Sequence, residues 1–244
     1  TGQPAKHEPF QPMPEGFRHV PFGDLSALEA SLDDTVAAVL LEPIQGEGGV
    51  IPASTEYLRR VREICTERGI LLVLDEVQTG FARTGRWFGF EHAGIRPDAV
   101  TLAKGMGNGM PIGALWARHD VAGVFAPGDH GSTFSGTALA TAAVLATIAE
   151  MERIDAPARA VAQGARLTRG LEAMSKVASV RGRGLLLGAQ LVDGVDAKEM
   201  QVALLSSGLV TNAVTPTTLR FAPPLNVSDE HVDEALSMLS TVLS

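Results

Sequence analysis

The sequence lacks several features that would assign it to a specialised class of proteins. It has one cysteine, Cys65, so no disulfide forms within the chain, and we expect a buried apolar residue on a helix there. No run of about 18 uncharged apolar residues occurs, so no transmembrane helix is predicted. Lys and Arg are scattered and the formal net charge is -8, which argues against nucleic acid or an anionic membrane as a partner. A reducing, cytoplasmic compartment follows from the cysteine usage.

Two common kinds of site are also missing. No G-x-G-x-x-G follows the first predicted strand, which argues against a nucleotide-binding oxidoreductase. His19 and His130 have no second His, Cys or carboxylate at ligand spacing, so we predict no metal site. The chain does not begin with Met, and its opening segment up to Phe22 is rich in proline and predicted to be a surface loop. We expect the sequence to be part of a longer one.

Apolar runs separated by glycine-rich turns predict an α/β fold. The predicted strands of the first part lie at 36–43, 70–75, 99–103 and 112–117, and a helix at 54–68. Continuous apolar strands that alternate with helices are typical of a mostly parallel sheet covered on both faces. A long helix at 137–153 completes this part. We therefore predict the C-terminal part of a large α/β domain over residues 1–153.

The pattern changes after about residue 175, where short alternating strands replace the apolar runs. The predicted elements are a helix at 157–174, antiparallel strands within 177–192, 208–214 and 218–221, and a closing helix at 228–243. This order of elements indicates a smaller α+β domain over residues 154–244.

Two charged residues stand at the ends of predicted strands. Asp75 follows the apolar residues LLVL, and Lys104 follows AVTLA and precedes a run rich in glycine. Ligands of open α/β sheets bind at the carboxyl ends of the strands. An Asp and a Lys on adjacent strand ends could hold the two ends of one pyridine ring, because a carboxylate keeps the ring nitrogen protonated and an amine forms an imine with an aldehyde. For Asp75 alone, a turn or a helix cap is the alternative.

A third candidate is the pair Ser132 and Thr133 in the segment HGSTF, just before the predicted long helix. Hydroxyls beside a glycine suit a phosphate, because backbone N–H groups and a helix N-terminus favour an anion. A plain helix cap is the alternative, and these residues alone leave both open.

Several blocks of the sequence resemble the class III aminotransferases, which are fold-type-I enzymes that depend on pyridoxal 5'-phosphate. The blocks are LLEPIQGEGGV, VLDEVQTGFARTG, LAKGMGNGMPIGA, GDHGSTFSG and RFAPPL. They occur in order through nearly the whole chain, from about Gly16 to the last helix. The resemblance implies amino-acid and 2-oxo-acid substrates and a homodimer with shared active sites.

The resemblance also implies roles for matching positions. Lys104 corresponds to the Schiff-base lysine and Asp75 to the partner of the pyridine nitrogen. Gln78 corresponds to the residue that hydrogen-bonds the phenolic oxygen of the ring, and Val77 would pack on one ring face. In the same way, the hydroxyls of HGSTF would reach the cofactor phosphate of the neighbouring subunit.

Two further positions, Glu47 in GEGG and Arg220 in LRFAPPL, resemble a gate glutamate and the arginine that binds the α-carboxylate of glutamate or 2-oxoglutarate. With a basic, diamine-like substrate, Glu47 would neutralise Arg220. With glutamate the pair would open, and Arg220 would take the carboxylate through two hydrogen bonds. A structural ion pair is the alternative for both residues.

The implied reaction is transfer of an amino group from N2-acetylornithine to 2-oxoglutarate, as in arginine biosynthesis. The alternatives are another ω-amine donor, such as ornithine, succinylornithine or 4-aminobutyrate, and a non-catalytic chain. Members of the family carry a phosphate-binding loop, a ring-stacking aromatic residue and a second substrate arginine upstream of the matched blocks. We therefore expect residues 1–244 alone to be unstable or inactive.

Overall fold

The computed structural model describes residues 2–244, which form two four-stranded sheets, a two-stranded hairpin and eight α-helices. The strands are β1 (Ala38–Leu41), β2 (Ile44–Gln45), β3 (Ile51–Pro52), β4 (Leu71–Asp75), β5 (Ala99–Leu102), β6 (Ala114–Ala117), β7 (Val177–Arg183), β8 (Leu186–Leu191), β9 (Asn212–Thr215) and β10 (Thr218–Phe221). The helices are α1 (Pro4–His7), α2 (Leu25–Ser31), α3 (Thr55–Arg68), α4 (His119–Ala122), α5 (Ala138–Arg153), α6 (Ala156–Glu172), α7 (Ala197–Ser206) and α8 (Asp229–Leu243).

The first sheet has the strand order β1-β4-β5-β6. The first three strands are parallel and β6 is antiparallel at one edge, which confirms the predicted mostly parallel sheet. Leu72 and Leu74 point to one face, where they are fully buried in a cluster with the apolar side of α3. This face is the core of the first part of the chain.

The opposite face of the first sheet is less covered than predicted. On this face Leu40 and Leu115 are each more than half exposed, although apolar strands of this kind are typical of a sheet buried on both faces. The prediction of two covered faces is therefore wrong for residues 2–244, because these strands carry more apolar side chains than the described residues cover.

Helix α3 shows how local sequence sets the limits of an element. The Ser54 side chain accepts a hydrogen bond from the Tyr57 amide at 3.0 Å, which satisfies one free N–H of the first turn. Gly69 ends the helix in the left-handed conformation, at a φ of 66°, where a side chain would be disfavoured. The predicted range 54–68 agrees with the observed one to within a residue.

The second sheet is antiparallel, with the order β7-β8-β10-β9. Apolar residues of α6, α7 and α8 bury one of its faces, including Leu171, Leu204 and Leu239. Helix α7 was not predicted from the sequence, although Asp196 caps it by accepting hydrogen bonds from two amides of its first turn. The proposed boundary between residues 153 and 154 falls between α5 and α6, and it stays a prediction.

None of the helices within residues 2–244 is long and apolar enough to cross a membrane.

The contact between α6 and the turn after β7 leads to a stability prediction. A Cβ atom on Gly164 would overlap the carbonyl oxygen of Gly184, which belongs to backbone and has little room to move. We expect Gly164→Ala to lower the free energy of unfolding by about 1–3 kcal/mol, since the clash outweighs the gain in helix propensity. Urea unfolding of the protein measures the change. Gly131→Ala is the control, because no atom lies within 4 Å of a Cβ there, and an equal loss in both variants would contradict the prediction.

Candidate active site

The candidate site lies at the carboxyl ends of three parallel strands. The register pairs Leu41 of β1 with Leu74 of β4, and Asp75 with Thr101 of β5. One further step along β1 therefore brings Glu42 beside Asp75. Neighbours in a parallel register point to the same face, so these strand ends present a row of polar side chains. Lys104 follows shortly after the end of β5.

Electrostatics link Asp75 and Lys104 through Glu42. Burial raises the pKa of the Glu42 carboxyl, and a hydrogen bond from the Gly46 amide at 2.9 Å acts in the opposite direction. The Asp75 carboxylate raises this pKa further, and the Lys104 ammonium lowers it. Because both charges act on one carboxyl, they lie at the same edge of the sheet.

The sequence reasoning did not select Glu42. The same sequence pattern marks Glu42 and Asp75 as strand-end residues, because Glu42 directly follows the apolar run VAAVLL just as Asp75 directly follows LLVL. Because Asp75 and Lys104 both act on the Glu42 carboxyl, Glu42 belongs with the site.

The alternation of β4 separates two adjacent acidic residues. Asp75 is half-buried, and its Oδ1 accepts a hydrogen bond from the Val77 amide at 2.9 Å, which is the turn contact expected as the alternative role. Its Oδ2 accepts no hydrogen bond from any described residue, so one carboxylate oxygen is available to a ligand. Glu76 points to the other face, where it is fully buried.

Glu76 holds the chain that follows the strand. Its carboxyl accepts hydrogen bonds from the Thr79 hydroxyl, from the Gly89 amide at 2.8 Å and from the Phe90 amide at 2.8 Å. Burial raises the pKa of this carboxyl, and the three hydrogen bonds act against that rise. Glu76 is therefore a structural residue that fixes the segment leading to Gln78.

Lys104 has an exposed side chain and an unusual backbone. Its φ of 47° lies in the left-handed region, which is uncommon for a residue with a side chain and often marks a functional site. Gly107 is required by close packing, because a Cβ there would overlap the Met110 carbonyl oxygen. Gly109 is required by its φ of 97°. The glycines after Lys104 thus build the turn that presents it.

A hydrogen-bonded ion pair joins the turn after β2 to the second sheet. Arg220 Nη1, from β10, donates to Glu47 Oε1 at 2.7 Å and to Gln78 Oε1 at 3.1 Å. Gln78 Nε2 also donates to Glu47 Oε1, at 3.1 Å, and Arg220 Nη2 donates to Asn212 Oδ1 at 2.9 Å. The hydrogen bond from Arg220 lowers the pKa of Glu47, so the pair is charged at neutral pH.

The structure thus brings Glu47, Gln78 and Arg220 together. The Gln78 amide donates a hydrogen bond to Glu47 and accepts one from Arg220. Its expected hydrogen bond to the phenolic oxygen of the ring stays a prediction. Asn212 was not selected from the sequence, because only the pairing of β9 with β10 places it beside Arg220.

The remaining candidates take no part in this hydrogen-bond network. Val77 is half-buried and sits between Asp75 and Gln78. Ser132 and Thr133 are exposed in the turns between α4 and α5. Within residues 2–244, no hydrogen bond or ion pair joins these two hydroxyls to the other candidates, so the chain does not complete a phosphate site around them.

A family model and a curated relative match the chain over its whole length. The family model described as Aminotransferase class-III matches residues 1–243. An acetylornithine aminotransferase from Caldanaerobacter subterraneus subsp. tengcongensis is 48% identical over 248 residues, which cover 100% of this chain and 63% of that protein. The chain therefore spans less than two thirds of the length of this curated relative.

Two solved structures are similar to the whole fold. The ornithine aminotransferase of Toxoplasma gondii, described with partial occupancy of PLP at its active site, has a TM-score of 0.93 at 34% identity and covers 99% of this chain and 59% of its own. The N-acetylornithine aminotransferase of Stenotrophomonas maltophilia K279a has a TM-score of 0.85 at 39% identity, with 93% and 61% covered. This likeness confirms the predicted fold class.

The adjacent acidic residues Asp75 and Glu76, at the end of β4, give a paired prediction. We expect Glu76→Gln to lower the free energy of unfolding by about 1–3 kcal/mol, because an amide group would face donors that now meet a carboxylate. Asp75→Asn is the matched variant and should cost much less, since the half-buried side chain keeps an oxygen for the Val77 amide. Urea unfolding measures both, and equal losses would show that burial does not distinguish the two positions.

Proposed function

This chain belongs to the class-III aminotransferases, and on that premise we propose that the full protein transfers an amino group from N2-acetylornithine to 2-oxoglutarate by a ping-pong cycle. One observation carries the proposal: Asp75 pairs with Thr101 of β5, the strand that leads to Lys104, and Gln78, three residues after Asp75, hydrogen-bonds Arg220. The names of the similar proteins support the choice of substrate.

Pyridoxal 5'-phosphate fits the groups present at this edge. Lys104 offers an amine for the aldehyde carbon, and the free Oδ2 of Asp75 would keep the ring nitrogen protonated. Val77 would pack on a ring face, and Gln78 would reach the phenolic oxygen once it is released from the ion pair. When bound, the cofactor supplies an electron sink for the negative charge that develops on the substrate carbon.

Lys104 has a second role in this proposal. Its amine would carry the proton between the two substrate carbons that exchange it. The exposed side chain and the strained backbone at Lys104 support a position in which the amine projects from the protein toward a ligand.

The Glu47–Arg220 pair would allow one site to accept two unlike substrates in turn. While the amine donor is bound, the closed pair presents little net charge. When glutamate or 2-oxoglutarate binds, Glu47 would swing away and Arg220 would take the α-carboxylate in a two-pronged hydrogen bond. The ion pair between Arg220 and Glu47 supports the first of these two states.

A homodimer completes the proposal. Ser132 and Thr133 would bind the cofactor phosphate of the partner subunit, which is consistent with their exposure and with their lack of hydrogen bonds within residues 2–244. The single cysteine is free and buried, which supports a reducing, cytoplasmic compartment.

Covalent trapping tests the role of Lys104. Reduction of the full-length protein with borohydride in the presence of pyridoxal phosphate should place a stable label on Lys104, as read by peptide mapping. Lys104→Ala should lose both the label and the visible absorbance of the bound cofactor. Lys176→Ala is the control, because that lysine hydrogen-bonds the last helix far from the site. A label on another lysine would refute the assignment.

The amine donor is tested by comparing substrates on the full-length protein. We expect kcat/KM for N2-acetylornithine to exceed that for ornithine by at least about tenfold, a difference of about 1.4 kcal/mol in transition-state binding. Ornithine is the second candidate, because the Toxoplasma gondii structure with a TM-score of 0.93 is an ornithine aminotransferase. A higher kcat/KM for ornithine would replace the proposed donor.

A further inference from the structure

The turn that carries Glu47 has a backbone that needs support. Residues 46–50 join β2 to β3, and Val50 has a φ of 54° while its side chain is fully buried. A β-branched residue at positive φ is strained, and such a conformation persists only where the surroundings hold it. The adjacent Gly49 has a φ of 116°. The position of Glu47 therefore depends on what holds this turn.

The second sheet provides a row of residues on which the turn rests. The strand registers pair Arg181 of β7 with Gly188 of β8, and Gly188 with Arg220 of β10. Cross-strand neighbours point to the same face, so two arginines flank a position without a side chain. A Cβ on Gly188 would lie 2.9 Å from the Val50 Cβ and 3.1 Å from the Gly49 oxygen. The bare backbone of Gly188 thus gives the turn room to approach the sheet.

Arg181 holds the turn from one side of this row. Its Nε donates to the carbonyl oxygens of Gly49 at 2.9 Å and Val50 at 3.1 Å. Its Nη2 donates to Thr218 Oγ1 at 2.9 Å, and its Nη1 donates to Gln190 Oε1 at 3.1 Å. None of these partners is a carboxylate. The planar guanidinium therefore connects the two turn carbonyl oxygens to Gln190 of β8 and Thr218 of β10.

We propose that Arg181 is a positioning residue for substrate exchange, which fixes the turn backbone on the second sheet so that only the Glu47 side chain moves when it leaves Arg220. Arg181 and Arg220, the two arginines of this row, then have different roles. Arg181 holds the backbone on one side of Gly188, and Arg220 holds the Glu47 carboxylate on the other. This inference rests on the proposed function, because it concerns the two states of that gate.

The proposed role affects the two halves of the cycle differently. While the amine donor is bound, Arg220 needs Glu47 as its partner, and a loosened turn would leave the guanidinium partly unpaired. While glutamate is bound, Glu47 is away from Arg220 in any case, so the same loosening has little effect. Loss of Arg181 should therefore change the ratio of the two half-reactions, which a general loss of stability would not do.

The test is Arg181→Met in the full-length protein loaded with pyridoxal phosphate. For each half-reaction, kcat/KM is obtained from the substrate dependence of single-turnover rates, with glutamate and with the amine donor that the wild type uses best. We expect kcat/KM for the amine to fall roughly tenfold, in line with the loss of a charge-assisted contact, and that for glutamate to stay within about twofold. Arg181→Lys keeps one donor and should recover part of the loss.

Two further variants make the result specific. Arg166→Met is the matched control, because Arg166 is an arginine of the same part of the chain that pairs with Asp229 and Asp233 on the surface. It should leave both rates unchanged. In a Glu47→Gln background, Arg181→Met should produce no further change in the ratio if it acts through Glu47.

The outcomes of these experiments distinguish a failure of the positioning role of Arg181 from a failure of the proposed function. If Arg181→Met does not fold, Gly188→Ala displaces the same turn from the other direction and should shift the ratio the same way. Equal losses in both half-reactions, or an undiminished effect in the Glu47→Gln background, would overturn the positioning role while leaving the proposed function intact. A wild-type protein inactive in both half-reactions would overturn the proposed function, and the inference with it.

Discussion

The hydrogen-bonded ion pair between Arg220 and Glu47 is the interaction on which the candidate site depends. It joins a strand of the second sheet to the turn after β2, and Gln78 extends it to the loop that follows β4. Because Arg220 is mostly buried there, its charge needs a partner at every stage. That requirement gives the pair two stable arrangements, one with the internal carboxylate and one with a substrate carboxylate.

The polar strand ends form the other half of the site. Glu42 and Asp75 place two carboxyl groups side by side, and Lys104 supplies the charge that offsets them. Burial raises the pKa of the Glu42 carboxyl, and the charge of Lys104 acts in the opposite direction. Such an edge suits a ring that carries one basic nitrogen and one electrophilic carbon, which is the basis of the proposed cofactor assignment.

Some residues of the candidate site were predictable from the sequence and others were not. Asp75 and Lys104 were selected because each ends an apolar run, and the parallel register does align these strand ends. Glu42 gave the same signal and was overlooked. Arg181 gave no such signal, because an arginine within a strand has no characteristic spacing and its partners are two carbonyl oxygens far away in the chain. Helix α7 was missed because its apolar residues do not mark one face: Leu204 is buried against the second sheet, whereas Val202 and Leu205 are exposed.

The sequence by itself determined the order of strands and helices, their caps and the motifs that identify the family, because these depend on neighbours within a few residues of each other. Only the tertiary structure decided which polar groups meet. Strand register set Gly188 between Arg181 and Arg220, and alternation along β4 sent Asp75 to the site and Glu76 to the core. The contacts of Arg220 with Glu47 and of Arg181 with Gly49 join residues more than a hundred positions apart in the chain, and no local pattern encodes a distance between such residues.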